Sequence, residues 1–447
     1  MIKILHLSDI HLGSGFSHGQ INSETGLNTR LEDFVNTLGR CIDRAIAEPV
    51  DLVLFGGDAF PDATPPPIVQ QAFARQFRRL VDAEIPTVLL VGNHDQHAQG
   101  QGGASLCIYR TLGVPGFVVG DRLATHLIQT RNGAIQVLTL PWLTPSALLT
   151  RPDTEGLSFA DVNHLLIDRL RVALEGEIRG LNPDIPTVLL AHLMTDTARY
   201  GAERFLAVGK GFTVPMALLN RPCFDYVALG HVHRHQVLCD QPPIVYPGSI
   251  ERVDFSEEDE DKGFVLANVE RGSADIEFCP LPVRRFQTIR VDLSQADDLH
   301  NTLLEAIASA SIEDAVVRLI YQLHPDQLDS VESSTLHSAL SAAHTYTIHP
   351  ELISQLARPR IPELGPECRL SPLDALKTYL ASRPDLDDIA EEMIAVAHTL
   401  TVDPAHLNLD NPNLYKTTSS LRSKTAQDEL PAYSDARDEQ DSQLRLL

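Results

Sequence analysis

Short apolar runs of strand length, rich in β-branched residues, recur along the first 280 positions. Each is closed by a polar or glycine-bearing turn. The runs are Ile2–Leu7, Leu52–Phe55, Thr87–Val91, Ile135–Leu140, Thr187–Ala191 and Tyr226–Leu229. Between the first two, Leu31, Phe34, Val35, Leu38, Cys41, Ile42, Ala45 and Ile46 keep the i, i+3, i+4, i+7 spacing of one buried helix face. A second helix is predicted over 66–84, ended by Ile85–Pro86. Alternation of strand and helix predicts βαβ units and a sheet covered by helices. After residue 240 the rhythm changes to PPIVYPGS, GFVLANVE and ADIEFCPL, closely spaced and separated by turn residues, which predicts antiparallel pairs.

A small α+β domain is expected over 281–355, where RFQTIRVDL and AVVRLIYQL alternate with helical stretches near 296–310 and 335–343. The connector ARPRIPELGPECRLSP is too proline-rich to propagate a helix, because each proline removes a backbone donor. Ser371 before Pro372 reads as an N-cap with proline at the first helical position. Leu386, Ile389, Met393, Val396, Ala397 and Leu400 form one stripe of a following helix. A linker and helix pair are thus expected over 356–410, either packed on the core or docking a partner. The polar, patternless remainder, 411–447, is expected to be a disordered tail. No internal repeat of fixed period is present.

At 447 residues the chain has room for about three domains of roughly 150 residues each. Hydrophobic residues make up 43% and charged residues 21%, near globular averages, so a sizeable core can form. No stretch reaches the ~18–20 consecutive apolar residues of a membrane span, and MIKILHLSDIH lacks the basic start and long apolar run of a secretory signal. The expected compartment is cytoplasmic. Six scattered cysteines without a C-x-x-C pair read as buried thiols, not a disulfide framework. With 36 basic against 60 acidic residues the formal net charge is −24, which argues against a chain that coats nucleic acid by its own electrostatics.

The chemistry sits at the end of each apolar run. Leu7 is followed by Ser8-Asp9-Ile10-His11, Phe55 by Gly56-Gly57-Asp58, Val91 by Gly92-Asn93-His94-Asp95, Ala191 by His192, and Leu229 by Gly230-His231-Val232-His233. Ligands in α/β sheets bind at the carboxyl ends of strands, where side chains distant in sequence converge. Asp, Asn and His without thiolate suit Mn²⁺, Fe or Zn²⁺. Seven donors are too many for one four-coordinate ion and fit two ions sharing a carboxylate. Each motif alone is a commonplace turn or helix cap; the ordered set, each member terminating an apolar run, is what marks a site. The glycines permit the tight turns a crowded ion site demands.

D-x-H, G-G-D, G-N-H-D, A-H and G-H-x-H in this order resemble the calcineurin-like metallophosphoesterase superfamily over roughly the first 280 residues. HLSDIHLG, GGDAF, GNHD, GHVHRHQ and especially YPGSIERVDFSEEDEDKGF narrow the resemblance to the SbcD family of double-strand-break-repair nuclease subunits. The resemblance implies an α/β (α+β) fold: a four-layer β-sandwich flanked by helices over 1–280, a capping, DNA-recognising domain over 281–355, and a C-terminal helical segment. It implies that Asp9, His11 and His233 hold one metal ion, that Asn93, His192 and His231 hold the other, and that Asp58 bridges both. His94 would be the catalytic acid, with Asp95 orienting it. Manganese is the expected metal, and ATP would act only through a partner, an SbcC-type ATPase whose coiled coil would dock near 371–401. DNA would be the substrate of a 3′–5′ double-strand exonuclease and single-strand or hairpin endonuclease, working as a homodimer within a heterotetramer in DNA repair and recombination, with no membrane role.

Elementary chemistry agrees with that expectation. Two cations about 3.5–4 Å apart neutralise the charge developing on a phosphodiester and lower the pKa of water toward neutrality. A histidine of intrinsic pKa near 6.5 matches proton donation to the leaving oxygen. Two other readings stand beside it: a small-substrate phosphodiesterase or protein phosphatase on the same core, and a scaffold that kept the fold without its metals. His6 is expected to be a core or supporting residue, and His97, His126, His164 and His235 fillers. The acidic run Glu257–Asp261 makes the charge problem for DNA locally worse, offset by the ions and the partner.

Overall fold

The apolar runs form the strands of two mixed six-stranded sheets. The computed structural model describes residues 1–97, 103–144, 157–201, 212–353 and, within 371–401, all but 382, 384–385 and 387–388. The chain runs β1 (Ile2–Leu7), α1 (Thr29–Ala47), β2 (Leu52–Phe55), α2 (Pro67–Asp82), β3 (Thr87–Leu90), α3 (Cys107–Thr111), β4 (Phe117–Gly120), β5 (Ala124–Thr130) and β6 (Gly133–Leu140). It continues with α4 (Phe159–Ile178), β7 (Thr187–His192), β8 (Met194–Thr195), β9 (Thr213–Val214), α5 (Met216–Leu219), β10 (Tyr226–Gly230), β11 (Gln236–Asp240), β12 (Pro243–Tyr246), β13 (Gly263–Glu270) and β14 (Ser273–Pro280). One sheet has the order β14-β13-β1-β2-β3-β4, the other β11-β12-β10-β7-β6-β5. Each carries four parallel strands, β1 to β4 in the first and β12, β10, β7 and β6 in the second.

Period-2 alternation assigns each residue to a layer. Ile2 and Ile4 of β1, Leu52 and Leu54 of β2, and Val88 and Leu90 of β3 meet Val188, Leu190, Tyr226 and Ala228 of the opposite sheet. The intervening Leu5, Leu7, Val53, Phe55 and Leu89 pack outward against α1 and α2. Leu189, Ala191, Val227 and Leu229 do the same toward Leu166, Leu170 and Leu174 of α4. Strands buried on both faces read as continuous apolar runs, which is why these were legible. Asn28 caps α1 by accepting from the Arg30 amide, and Pro67 starts α2. Phe73 and Phe77 of α2 are fully buried and stack at 4.2 Å; truncating either to alanine would cost ~3–5 kcal/mol.

The expected sandwich with helices on its outer faces is therefore the observed one. Several elements of it differ from expectation. β4, β5, β11 and α4, with the short β8, β9, α3 and α5, lie outside the predicted set: β5 (ATHLIQT) is an edge strand with Leu127 and Gln129 exposed, and the core side of α4 is a narrow stripe of leucines four apart. β13 and β14 form an antiparallel pair, but PPIVYPGS leaves them as β12 and enters the other sheet, parallel to β10 and antiparallel to β11.

Residues 286–352 build a separate parallel sheet, β15 (Phe286–Asp292), β16 (Val316–Leu323) and β17 (Thr345–Leu352), crossed over by α6 (Leu299–Ser309) and α7 (Ser333–Ala339). Its core, including Ile289, Leu303, Leu319, Leu323 and Leu336, is distinct from those of the sandwich. β17 escaped prediction because TYTIHPEL, with Pro350 and an exposed far end, reads as an edge. This sheet and the sandwich belong to one compact unit, Met1–Ile353.

The second unit, Ser354–Leu447, contributes α8 (Pro372–Ala381) and α9 (Ala390–Thr401), which pack on one another. The Ser371 hydroxyl accepts from the Asp374 amide (3.2 Å) and donates to its carboxylate (2.6 Å), the cap expected of it. The expected linker over 356–370 and tail over 411–447 lie outside the described residues. Among the described residues no helix is long and apolar enough to cross a membrane, and the five cysteines are free thiols, of which only Cys41 is buried as expected; Cys107, Cys223, Cys239 and Cys279 are partly exposed.

Candidate metal centre

Five strand ends deliver their side chains to one cleft of about 210 Å³, lined by His11, Asp58, Asn93, His94, His231, His233 and Glu257 among others. β1 supplies Asp9 and His11, β2 Asp58, β3 Asn93 and His94, β7 His192, and β10 His231 and His233. The backbone is forced to make the delivery. Among the described residues six non-glycine residues have positive φ, and four of them are Asp9 (51°), His11 (46°), Asp58 (58°) and His231 (103°). Such conformations cost of order 1–3 kcal/mol each and persist where surrounding structure over-determines them, typically at functional sites.

The donors form two groups, and Asp58 belongs to one and lies 3.6 Å from His11 of the other. Asp9, His11 and His233 bring ligand atoms within 4.8 Å of one another, as do Asp58, His192 and His231; His11, Asp58 and His94 make a third set between them. Asp58 Oδ2 lies 3.6 Å from His11 Nε2 and 3.4 Å from His192 Nε2. Asn93 Oδ1 is 2.9 Å from both His192 Nε2 and His231 Nδ1, and His233 Nε2 is 3.0 Å from His11 Nε2. Gly92 is obligatory here, because a Cβ on it would lie 2.1 Å from Asp58 Oδ1.

The electrostatics fit divalent cations. In its neutral form His192 donates from Nδ1 to the Gly56 carbonyl (2.7 Å), so its Nε2 lone pair faces the oxygens of Asp58 and Asn93. His233 likewise donates from Nδ1 to Glu257 (2.6 Å), turning its Nε2 lone pair toward His11. Acceptors converging on acceptors need a proton or a metal cation between them. Burial, then the neighbouring His233, holds His11 well below its ordinary pKa; burial, then His192, does the same to His231. Burial would also lower His192 and His233, but the carboxylates of Asp58 and Glu257 outweigh it and hold each at about 9. Asp58 is held below the carboxylate range by His192 despite its burial, while burial raises Asp9. His231 Nε2 is buried with no hydrogen-bond partner.

All seven expected donors are thus brought together. His94 is half-buried at the cleft edge, its amide donating to Asp58 Oδ1 (2.9 Å) and its Nδ1 bonded to the Pro61 carbonyl (2.7 Å). Asp95 is placed differently from the expectation that it orients His94. Its fully buried carboxylate accepts from the amides of Asp58 (2.9 Å), Ala59 (3.0 Å) and Gly92 (2.9 Å), tying the β2 and β3 loops together, while the Pro61 carbonyl holds the His94 ring. His6 is a core residue: its ring bridges the sheets through Tyr226 Oη (2.8 Å) and the Leu229 carbonyl (3.2 Å).

Sequence reasoning missed three supporting residues. Glu257 is 5% exposed and binds His233, and the fully buried Lys262 pairs with it at 2.8 Å and donates to the His233 carbonyl. The acidic run is thus partly consumed internally, since Glu260 also pairs with Lys262 and Glu258 accepts from Thr288. Its position inside the distinctive YPGSIERVDFSEEDEDKGF segment was the available signal. The third, Trp142, lies against His231 with ring centroids 4.8 Å apart, and nothing in its local sequence marks it.

A family model described as calcineurin-like phosphoesterase matches residues 2–235. The D subunit of the nuclease SbcCD from Rhodobacter capsulatus is 31% identical over 303 residues, covering 63% of this chain and 69% of that protein. Among solved structures, TT1561 of Thermus thermophilus aligns at 16% identity and a TM-score of 0.36, over 62% of this chain and 98% of its own. A dimetal phosphatase from Danio rerio aligns at 12% identity and a TM-score of 0.37, over 62% and 99%.

Proposed function

We propose, from the premise that this chain belongs to the calcineurin-like phosphoesterase family, that it is a DNA nuclease subunit hydrolysing phosphodiesters with two divalent ions, Mn²⁺ the best match. The observation that carries the proposal is the pair of donor groups adjoining at Asp58, which belongs to one and approaches His11 of the other at 3.6 Å, with His94 at the edge of the same cleft. Similarity to the SbcCD subunit and the segment around 246–264 favour DNA over a small ester.

Asp9, His11 and His233 would hold one ion, Asn93, His192 and His231 the other, with Asp58 between them. When bound, such a pair supplies Lewis acidity to the phosphate and lowers the pKa of water. The residues of the chain then do the positioning. Asp95 fixes the two loops that carry Asp58 and Asn93. The Pro61 carbonyl accepts a hydrogen bond from Nδ1–H of His94, which leaves Nε2 of the protonated ring as the edge that donates its proton to the departing alkoxide as the P–O bond breaks, the ring ending neutral.

A net charge of −24 leaves DNA capture to other elements, and we assign it to an SbcC-type ATPase partner, through which ATP acts, and to the sheet of residues 286–352 as a cap. The apolar side chains of Ile389, just before α9, and Met393 within it, 39% and 37% exposed, support partner docking there. A homodimer within the complex, 3′–5′ exonuclease polarity, hairpin opening, a role in DNA repair and recombination, and a cytoplasmic location belong to the same reading.

The test is Mn²⁺-dependent degradation of end-labelled duplex DNA by the purified chain, with and without the ATPase, against an Asp58→Asn control. Cleavage lost in the control and stimulated by the partner is expected. Turnover of a small phosphodiester with no DNA cleavage, even with partner and ATP, would replace this reading by the phosphodiesterase one.

A further inference from the structure

The short turn that carries Glu257 lies between the metal centre and the cap. On one side the Glu257 carboxylate accepts from His233 Nδ1 at 2.6 Å, and from the Val253 amide (3.0 Å) and Lys262. On the other side the turn is docked on β15 and β16. Phe255 packs edge-on against Phe286 (4.9 Å), with the Arg318 guanidinium 4.2 Å from its ring centroid. Glu258 accepts from the Thr288 hydroxyl (2.5 Å), and Arg252 spans the junction by donating to the carbonyls of Glu257 (3.1 Å) and Arg284 (3.1 Å).

We infer that Glu257 is a positioning residue for His233, and that the cap sheet holds Glu257 in place. The inference rests on reading His233 as a metal ligand. A ring-nitrogen proton given to a buried carboxylate fixes tautomer and ring orientation, and removing such a partner typically weakens metal affinity about 10–100-fold. Because Phe255 and Glu258 flank Glu257 and both are seated on the cap, the cap contributes to the geometry of a site that none of its own residues enters. Integrity of the cap and occupancy of the His11/His233 side of the centre are thereby coupled.

The test uses the full chain and Mn²⁺ alone. The single tryptophan, Trp142, adjoins His231 and His192, so its fluorescence reports filling of that side, while the exchange-coupled Mn²⁺ resonance spectrum reports filling of both. In Glu257→Gln the tryptophan titration should stay at the parental midpoint. The coupled spectrum should give way to that of isolated Mn²⁺ until roughly 10–100-fold more metal is added. Thr288→Val, on the cap, should shift the same spectrum in the same direction by a smaller factor, which keeps the idea testable if Glu257→Gln misfolds. Parental spectra in both variants would overturn the inference. Failure of the parent chain to bind two ions, or unchanged spectra in His233→Ala, would instead remove the two-ion reading beneath it.

Discussion

Asp95 should act on the architecture of the centre more than on its chemistry, and Asp95→Ala separates the two. Three amides, of Asp58, Ala59 and Gly92, donate to this fully buried carboxylate at 2.9–3.0 Å, and the substitution leaves all three without an acceptor. At ~1–3 kcal/mol for each unsatisfied buried donor the loss is about 3–6 kcal/mol once water entering the vacated space restores part of it. Against a typical total of ~5–15 kcal/mol that is a large fraction, concentrated in the β2 and β3 loops. Hydrogen exchange read by mass spectrometry on peptides spanning 56–60 and 90–96 measures it locally, beside a thermal melt of the whole chain. Those peptides should lose protection by two orders of magnitude or more, since each ~1.4 kcal/mol is a factor of ten. Amide protection within about 1 kcal/mol of the parent, combined with lost hydrolysis, would refute the reasoning and return Asp95 to a role on His94.

Other outcomes rest on the same geometry. His94→Ala should leave Mn²⁺ binding, read by Trp142 fluorescence, at the parental midpoint while lowering phosphodiester hydrolysis ~10²–10⁴-fold; hydrolysis at the parental rate would end its role as acid. His192 and His233 are held near 9, so at neutral pH an ion must displace their protons, and apparent Mn²⁺ affinity should climb from about pH 6.5 to 8.5. A titration midpoint flat across that window would contradict this. His6 is held down to about 3 by burial and is neutral in the fold, whereas the unfolded chain takes up a proton near 6.5. Its contribution is complete above that pH and is lost as pH falls toward 3, ~2 kcal/mol by about pH 5. His6→Gln should flatten the acid limb of the stability profile relative to the parent; an unchanged limb would count against the shift.

The donor set was legible because metal chemistry restricts residue type and because the parallel strands, buried on both faces, announce themselves as apolar runs with the donor at the end. Asp9, His11, Asp58, Asn93, His192, His231 and His233 could each be placed at a strand end from the string alone. Edge strands such as β5 and β17 were lost because only one of their sides sees the core, which dilutes the alternation.

What the sequence determined by itself was the succession of buried central strands with the first two helices, and the identity of the proposed ligating and proton-donating side chains, since both follow from local pattern and intrinsic chemistry. Tertiary structure decided the partnerships across long separations. β12 chose the second sheet although it neighbours β13 in sequence, because its apolar faces fit beside β10. Asp95 reached backbone amides nearly forty residues away in place of the adjacent ring, and Glu257, one member of an acidic run, became internal because His233 and Lys262 came to surround it. Hydrogen bonds and burial of this kind depend on which surfaces meet, and no periodicity along the chain encodes that.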